Sequence, residues 1–287
     1  VRDAVNKRTF AGPTIYAAGR MICMTGGHGN RVGRIADGCD EVITAVREQV
    51  HAGSDFVKIM ATGGVMTPGV NPEDAHYTAE EMAAGIHEAH RFHKHTASHA
   101  QGRDGILNAV RGGIDSIEHG TFMDDETMQL LLERDVPVVP ALYFEKASID
   151  HGSSFGMSQQ IIDGHQETLD AGTASAQRII REGGRLGLGG DYGFAWNPHG
   201  DYAKELTFFV EHVGLTVRET LTCATRTGAE IIGVQDTLGT LELGKTADVL
   251  VVAGDVLSDI SLIEDKKNLL AVIQNGIIKA GTLFKSN

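Results

Sequence analysis

The sequence has few of the features that mark secreted or membrane proteins. Its 287 residues include only three cysteines, Cys23, Cys39 and Cys223, which are scattered and form no CxxC pair. We therefore predict reduced thiols rather than a disulfide framework. No apolar run is long enough to span a membrane. The first residues have neither the basic region nor the apolar core of a signal peptide. These absences predict a cytoplasmic protein.

Signatures of nucleotide and nucleic-acid binding are also missing. No GxxxxGK[ST] motif occurs, and no GxGxxG follows a predicted strand, so the phosphate loops that these motifs build are not expected. The chain carries 25 Lys and Arg against 38 Asp and Glu, a net charge of −13. This acidic balance argues against nucleic acid or an anionic membrane as the main partner. We expect a small-molecule or dipeptide substrate and a homo-oligomer.

What the sequence does contain is an alternation of short apolar runs and helical segments. Thr78 and Glu81 form a capping box that predicts the start of one helix. Such alternation predicts parallel strands with crossover helices, as in a (β/α)8 barrel. We assign residues 1–237 to the barrel. Residues 238–287 instead contain strand-like runs joined by turns. Together with the Asn275-Gly276 hairpin signal, these runs predict part of a small β-sandwich.

Potential metal ligands stand at the carboxyl ends of predicted strands. They are Lys58, His99, His119 and Asp191. In a (β/α)8 barrel, the carboxyl ends of the strands form the active-site face. Two imidazoles and a carboxylate suit Zn²⁺ and similar ions. The sequence therefore predicts a metal site, although each residue taken alone has a plain structural interpretation.

Lys58 is the least usual member of this set. In isolation, a lysine in a short strand is interpreted as an edge residue whose ammonium reaches water. Three further candidate ligands at other strand ends favour a functional role instead. His28, in a glycine-rich loop, and Tyr143 also lie at predicted strand ends. They are candidates to bind a substrate carboxylate or carbonyl, with a structural role equally open.

Several motifs in order resemble the amidohydrolase superfamily of metal-dependent hydrolases. They are FVKIMATGG, ASHAQG, SIEHGT and LGGD, together with TGGHGN, PEDAHYTAEEM and the tail TLELGKTADVLVV. The resemblance covers essentially the whole chain. It is greatest to the imidazolonepropionase-like group that includes Xaa-Pro dipeptidases (prolidases) and carboxypeptidases. It implies a TIM-like barrel of which this chain carries about strands 3–8, with the C-terminal part of a small β-sandwich.

The resemblance also implies a mechanism. Lys58 would be carboxylated and would bridge two divalent metal ions, zinc being expected. His99 and His119 would bind one metal, and Asp191 would bind the other and transfer the proton. A hydroxide bridging the metals would attack the amide carbonyl of the substrate. The expected activity is therefore hydrolysis of a peptide or amide bond, by a dipeptidase or carboxypeptidase of Xaa-Pro type.

One element of the superfamily pattern is missing from the sequence. The superfamily carries a His-x-His pair on its first strand, and we expect this pair to precede Val1. His93-Lys94-His95 has the spacing but lies between a helix and the His99 strand, so we reject it. Two alternatives stay open. One is a cyclic-amide hydrolase or deaminase of the same superfamily, and the other is a metal-poor barrel with only a binding role.

Overall fold

The computed structural model describes residues 1–283, which form two compact units. The first unit consists of Val1–Val139 and Asp170–Arg185. The second consists of Pro140–Leu169 and the described residues from Leu186 to Leu283. The long helix α7, Gln159–Arg181, contributes residues to both units.

The first unit is built on a parallel sheet of six strands in the order β2-β1-β3-β4-β5-β6. These strands are β1 (Ile22–Cys23), β2 (Arg34–Ile35), β3 (Val57–Met60), β4 (Thr96–Ala100), β5 (Ser116–His119) and β6 (Val138–Val139). Neighbouring parallel strands require crossover connections, and helices supply most of them here. The helices of this unit outside α7 are α1 (Arg2–Asn6), α2 (Cys39–His51), α3 (Ala79–Arg91), α4 (Arg103–Gly112) and α5 (Asp125–Glu133).

Helix α3 shows how the sequence fixes these elements. Thr78 accepts a hydrogen bond from the Glu81 amide, and Glu81 accepts one from the Thr78 amide, so the predicted capping box is present. Met82, Ile86 and Ala89 follow at helical spacing and are fully buried. Gly85 lets α3 approach the sheet, because a Cβ there would lie 2.9 Å from the Ile59 side chain.

The second unit contains the remaining helices and an antiparallel sheet. The helices are α6 (Leu142–His151), the first part of α7, α8 (Ala203–Phe208), α9 (Val217–Thr222) and α10 (Gly228–Ile231). The sheet has the order β7-β8-β9, with β7 (Val249–Val252), β8 (Leu269–Gln274) and β9 (Ile277–Ala280). Asn275 and Gly276 both have positive φ between β8 and β9, as a type I′ hairpin turn requires.

The structure confirms an α/β fold with a parallel sheet, and it confirms the Asn275-Gly276 hairpin. Closure of the sheet into a barrel, the sandwich and the division after residue 237 stay predictions. One local expectation is wrong: the strand predicted to end at Asp191 is absent, because residues 187–191 have no strand conformation and Leu186 forms only a single bridge. Within residues 1–283, no helix is long and apolar enough to cross a membrane.

Candidate active site

The strand register of the first unit brings Lys58 and His99 to the same face of the sheet. Met60 pairs with His99, and His99 pairs with Glu118. Because side chains alternate along a strand, Lys58 lies on the face of Met60, and therefore on the face of His99 and Glu118. The Lys58 Nζ lies 3.9 Å from the Glu118 Oε1. The lysine therefore faces a carboxylate within the sheet, which differs from the edge lysine that its sequence alone suggests.

His119 reaches the same group of side chains by an unusual backbone conformation. It follows Glu118 directly, so regular alternation would place its ring on the opposite face. Instead His119 has φ 73°, in the left-handed region, where histidine is one of the better-tolerated non-glycine residues. Its ring centroid lies 4.7 Å from that of His99, edge to face. The turn at the end of β5 therefore brings this imidazole to His99.

His28 completes what we call the histidine cluster, His28, His99 and His119. Its ring stacks on that of His99 with centroids 4.5 Å apart. The His28 Nδ1 lies 2.7 Å from the Thr67 hydroxyl. Gly64 makes room for the ring, because a Cβ there would lie 2.6 Å from the His28 Cε1. Three side chains predicted from separate segments are thus in contact.

The hydrogen bond of His99 defines which of its nitrogens is available. The Nε2 lies 2.7 Å from the Gly63 carbonyl oxygen, and only an N–H can donate to that acceptor. The Nδ1 therefore carries the lone pair in the neutral ring. Burial, followed by the neighbouring His119, lowers the pKa of His99 well below its ordinary value. His99 is thus neutral at physiological pH, which is the form that binds metals.

The donor set in the first unit fits a divalent metal. Ligating histidines usually donate their other ring N–H to a carbonyl or carboxylate, as His99 does to Gly63. Within residues 1–283, no group of three or more His, Cys, Asp and Glu side chains is arranged to hold a metal. Lysine is not among those residue types, and a carboxylated Lys58 would add an anionic oxygen donor on the face of His99.

The second unit contains Tyr143 and Asp191. Tyr143 is the second residue of α6, and its amide donates to the Glu205 Oε2 at 2.8 Å. The Lys204 Nζ lies 5.5 Å from the Tyr143 ring centroid. Asp191 follows irregular backbone, and its carbonyl accepts from the Asn197 Nδ2 at 2.8 Å. The roles of all six candidates, Lys58, His99, His119, Asp191, His28 and Tyr143, stay predictions.

Sequence reasoning did not single out Glu118, Gly63 or Glu205. Glu118 could have been found from the sequence. Side chains alternate along a strand, so Glu118 must lie on the face opposite to the apolar Ile117. Gly63 contributes a backbone carbonyl, which no side-chain pattern reveals. Glu205 is fully buried, and burial raises its pKa to about 8 although two amides donate to it. Its position depends on how α8 packs, which the sequence does not show.

The chain belongs to the amidohydrolase family, whose family model matches residues 1–278. It is therefore a member of the amidohydrolase superfamily, whose enzymes hydrolyse C–N bonds and generally use divalent metals.

Particular relatives define the similarity further. The chain is 31% identical over 315 residues to ochratoxinase of Aspergillus niger, an alignment that covers 99% of this chain and 63% of that protein. A solved Xaa-Pro dipeptidase with bound methionine shows 31% identity and a TM-score of 0.89, over 98% of this chain and 71% of that one. A prolidase complexed with N-methylphosphonate-L-proline shows 29% identity and a TM-score of 0.91, over 98% and 72%. The chain thus spans less than two thirds of the length of ochratoxinase and slightly more than two thirds of the two solved structures.

Proposed function

We propose that this protein is a binuclear metal-dependent hydrolase that cleaves the amide bond of Xaa-Pro dipeptides or related carboxylate-bearing amides. The observation that carries the proposal is the His99 arrangement. A buried neutral imidazole donates its Nε2–H to the Gly63 carbonyl and keeps its Nδ1 lone pair, beside His119 and on the face of Lys58. The names of the relatives, ochratoxinase and prolidase, support an amide as substrate.

The chain's own residues have distinct parts in this proposal. His99 and His119 would hold one metal. The Lys58 ammonium would lose one proton to give an amine, the Nζ would bond to the carbon of CO₂, and a second proton would leave. The resulting carbamate would supply the anionic oxygens that an amine lacks. When bound, the metals would polarise the substrate carbonyl and lower the pKa of water. Asp191 would accept a proton and deliver it to the leaving amine.

His28 and Tyr143 would bind the substrate. The His28 ring is held between Thr67 and the His99 ring, so its orientation is fixed before the substrate arrives. Such preorganisation is what a carbonyl- or carboxylate-binding group requires. Tyr143 would contribute its hydroxyl group, since its amide is already bonded to Glu205.

The decisive experiment compares wild-type full-length protein with Lys58→Ala in a dipeptide-library hydrolysis assay with added Zn²⁺. Metal content is measured by mass spectrometry on the same samples. We expect about two divalent ions per wild-type chain and hydrolysis of Xaa-Pro substrates. Lys58→Ala should lose the binuclear metal content and the hydrolysis. Lys7→Ala is the matched control, because Lys7 is exposed and lies outside the site.

The outcomes separate the alternatives. Full activity in Lys58→Ala would refute the carbamate mechanism. One metal per chain with activity on cyclic amides or amino groups would favour the cyclic-amide hydrolase or deaminase. Wild-type protein that binds no metal would favour a binding role only. A carbamate signal in ¹³C spectra after incubation with ¹³CO₂, lost in Lys58→Ala, would support the lysine chemistry independently of turnover.

A further inference from the structure

Helix α6 begins in a way that requires outside support. Ala141, the residue before the helix, has φ 57° and ψ 42°, a left-handed conformation in a non-glycine residue. Such a conformation costs free energy and persists only where the surroundings hold it. Ala141 has no side-chain oxygen that could accept from the first amides of the helix, so it forms no side-chain cap. The amides of its first residues therefore need acceptors from elsewhere in the chain.

Glu205 of α8 supplies both acceptors. Its Oε1 accepts from the Leu142 amide at 2.9 Å, and its Oε2 accepts from the Tyr143 amide at 2.8 Å. The Glu205 side chain is fully buried. Burial of a carboxyl group is costly, and two amide donors at the positive end of a helix offset part of that cost. One buried side chain thus fixes two consecutive backbone positions.

The residue before Glu205 contacts the ring of Tyr143. The Lys204 Nζ lies 5.5 Å from the Tyr143 ring centroid, and the same ammonium pairs with Asp201 at 2.8 Å. Consecutive residues of α8 therefore contact the side chain and the backbone of Tyr143. The position of Tyr143 is set by α8 as well as by its own helix.

We propose that Glu205 is a positioning residue that holds Tyr143 in place for substrate binding by clamping the first two amides of α6. The inference rests on the proposed function, in which Tyr143 binds the substrate carbonyl or carboxylate. Glu205 itself does not touch the substrate. It acts through the backbone of Tyr143, so loss of the clamp should move the tyrosine hydroxyl.

A double-mutant cycle tests this coupling. Glu205→Gln replaces one accepting oxygen by an NH₂ group, which cannot accept an amide hydrogen. With alanyl-proline as substrate, we expect kcat/KM to fall about 10–100-fold. Tyr143→Phe should cause a fall of similar size, and the double variant should be no worse than either single variant. If the two losses multiply instead, Glu205 does not act through Tyr143 and the inference is overturned.

Glu145→Gln is the matched control for buried-carboxylate loss. Glu145 is also buried, lies on α6, and bonds to His165 rather than to the start of the helix. Its loss should lower thermal stability, yet its effect on kcat/KM should multiply with that of Tyr143→Phe. If Glu145→Gln shows the same non-additivity as Glu205→Gln, the effect is general loosening, and the positioning role is wrong.

A second measurement does not depend on activity. Amide hydrogen exchange at Leu142 and Tyr143 should be about tenfold faster in Glu205→Gln than in wild type. Unchanged exchange at both amides would overturn the inference, whatever the enzyme hydrolyses. If wild type hydrolyses no amide substrate, the proposed function fails, while the exchange result still determines whether Glu205 clamps α6.

Discussion

The two units present their candidate site residues by different means. In the first unit, Lys58 and His99 lie within regular parallel strands, whose register determines that they share a face, and His119 joins them through a left-handed turn at the end of its strand. In the second unit, Tyr143 and Asp191 lie on backbone that no strand supports, and side chains such as Glu205 and Asn197 hold that backbone.

The difference has a physical consequence. A strand places a side chain through backbone hydrogen bonds, which every residue type except proline can make, so most point substitutions leave the framework intact. Backbone held by side chains depends on a few particular residues, and the loss of one leaves buried groups unsatisfied. We therefore expect function to be sensitive, in the first unit, to substitution of the candidate metal ligands themselves. In the second unit it should be sensitive to substitution of the side chains that hold the backbone.

The largest effect is expected for Asp191→Asn in the second unit, which tests whether a residue on irregular backbone can act as a catalytic group. In Asp191→Asn the side chain can no longer transfer a proton, so kcat should fall by about 10²–10⁴-fold. Steady-state hydrolysis of alanyl-proline measures the change. Asp163→Asn is the control, because Asp163 lies on α7, where its carboxylate accepts from the Gln159 side-chain amide one turn earlier. A fall of less than about twofold in Asp191→Asn would contradict the role of Asp191 in proton transfer.

An intermediate effect is expected where the first region depends on a backbone carbonyl. A Cβ at Gly63 would lie 2.0 Å from the Asn71 carbonyl oxygen, so Gly63→Ala must shift the segment that accepts the His99 hydrogen bond. We expect about a 10–100-fold loss of metal affinity, measured by competition with a chromogenic chelator.

The same substitution elsewhere provides the control for Gly63→Ala. A Cβ at Gly228, at the start of α10, would meet nothing closer than 3.7 Å, so Gly228→Ala should leave metal affinity unchanged. Equal metal affinity in Gly63→Ala and wild type would show that the His99 orientation does not depend on this carbonyl.

The smallest effect concerns α5, which follows the His119 strand. The amide and hydroxyl of Thr127 and the guanidinium of Arg103 hold the pKa of Asp124 at about 2. A lowered pKa stabilises the folded state above the ordinary aspartate pKa of 3.8, and this stabilisation is lost as the pH falls toward 2. The advantage of wild type over Asp124→Asn, measured by urea unfolding, should therefore shrink from about pH 4 to about pH 2. A stability difference between wild type and Asp124→Asn that is constant with pH would show that the charge of Asp124 does not contribute to the free energy of unfolding.

Much of the first unit was predictable, because the sequence patterns that indicate its strands and helices are local. The alternation of apolar runs and helices predicts the parallel sheet, and Thr78 with Glu81 predicts the start of α3. The strands that carry Lys58, His99 and His119 follow from short apolar runs, although Lys58 is the second residue of β3 and not, as the sequence predicts, its last. Less was predictable in the second region. The glycines between Leu186 and Asp191 looked like the end of a strand, yet this segment pairs with no neighbour there beyond a single bridge.

The sequence by itself determined the family, the parallel architecture and the chemical types at the candidate site. The motifs identify the family and the site chemistry, and the hydrophobic period identifies the strands and helices. Each motif and each period is formed by residues near one another in the chain. The tertiary structure decided which nitrogen of His99 is free, how His119 turns towards it, and that Glu205 clamps the start of α6. Each of these depends on a contact between residues distant in the chain, and such contacts exist only after the elements have packed.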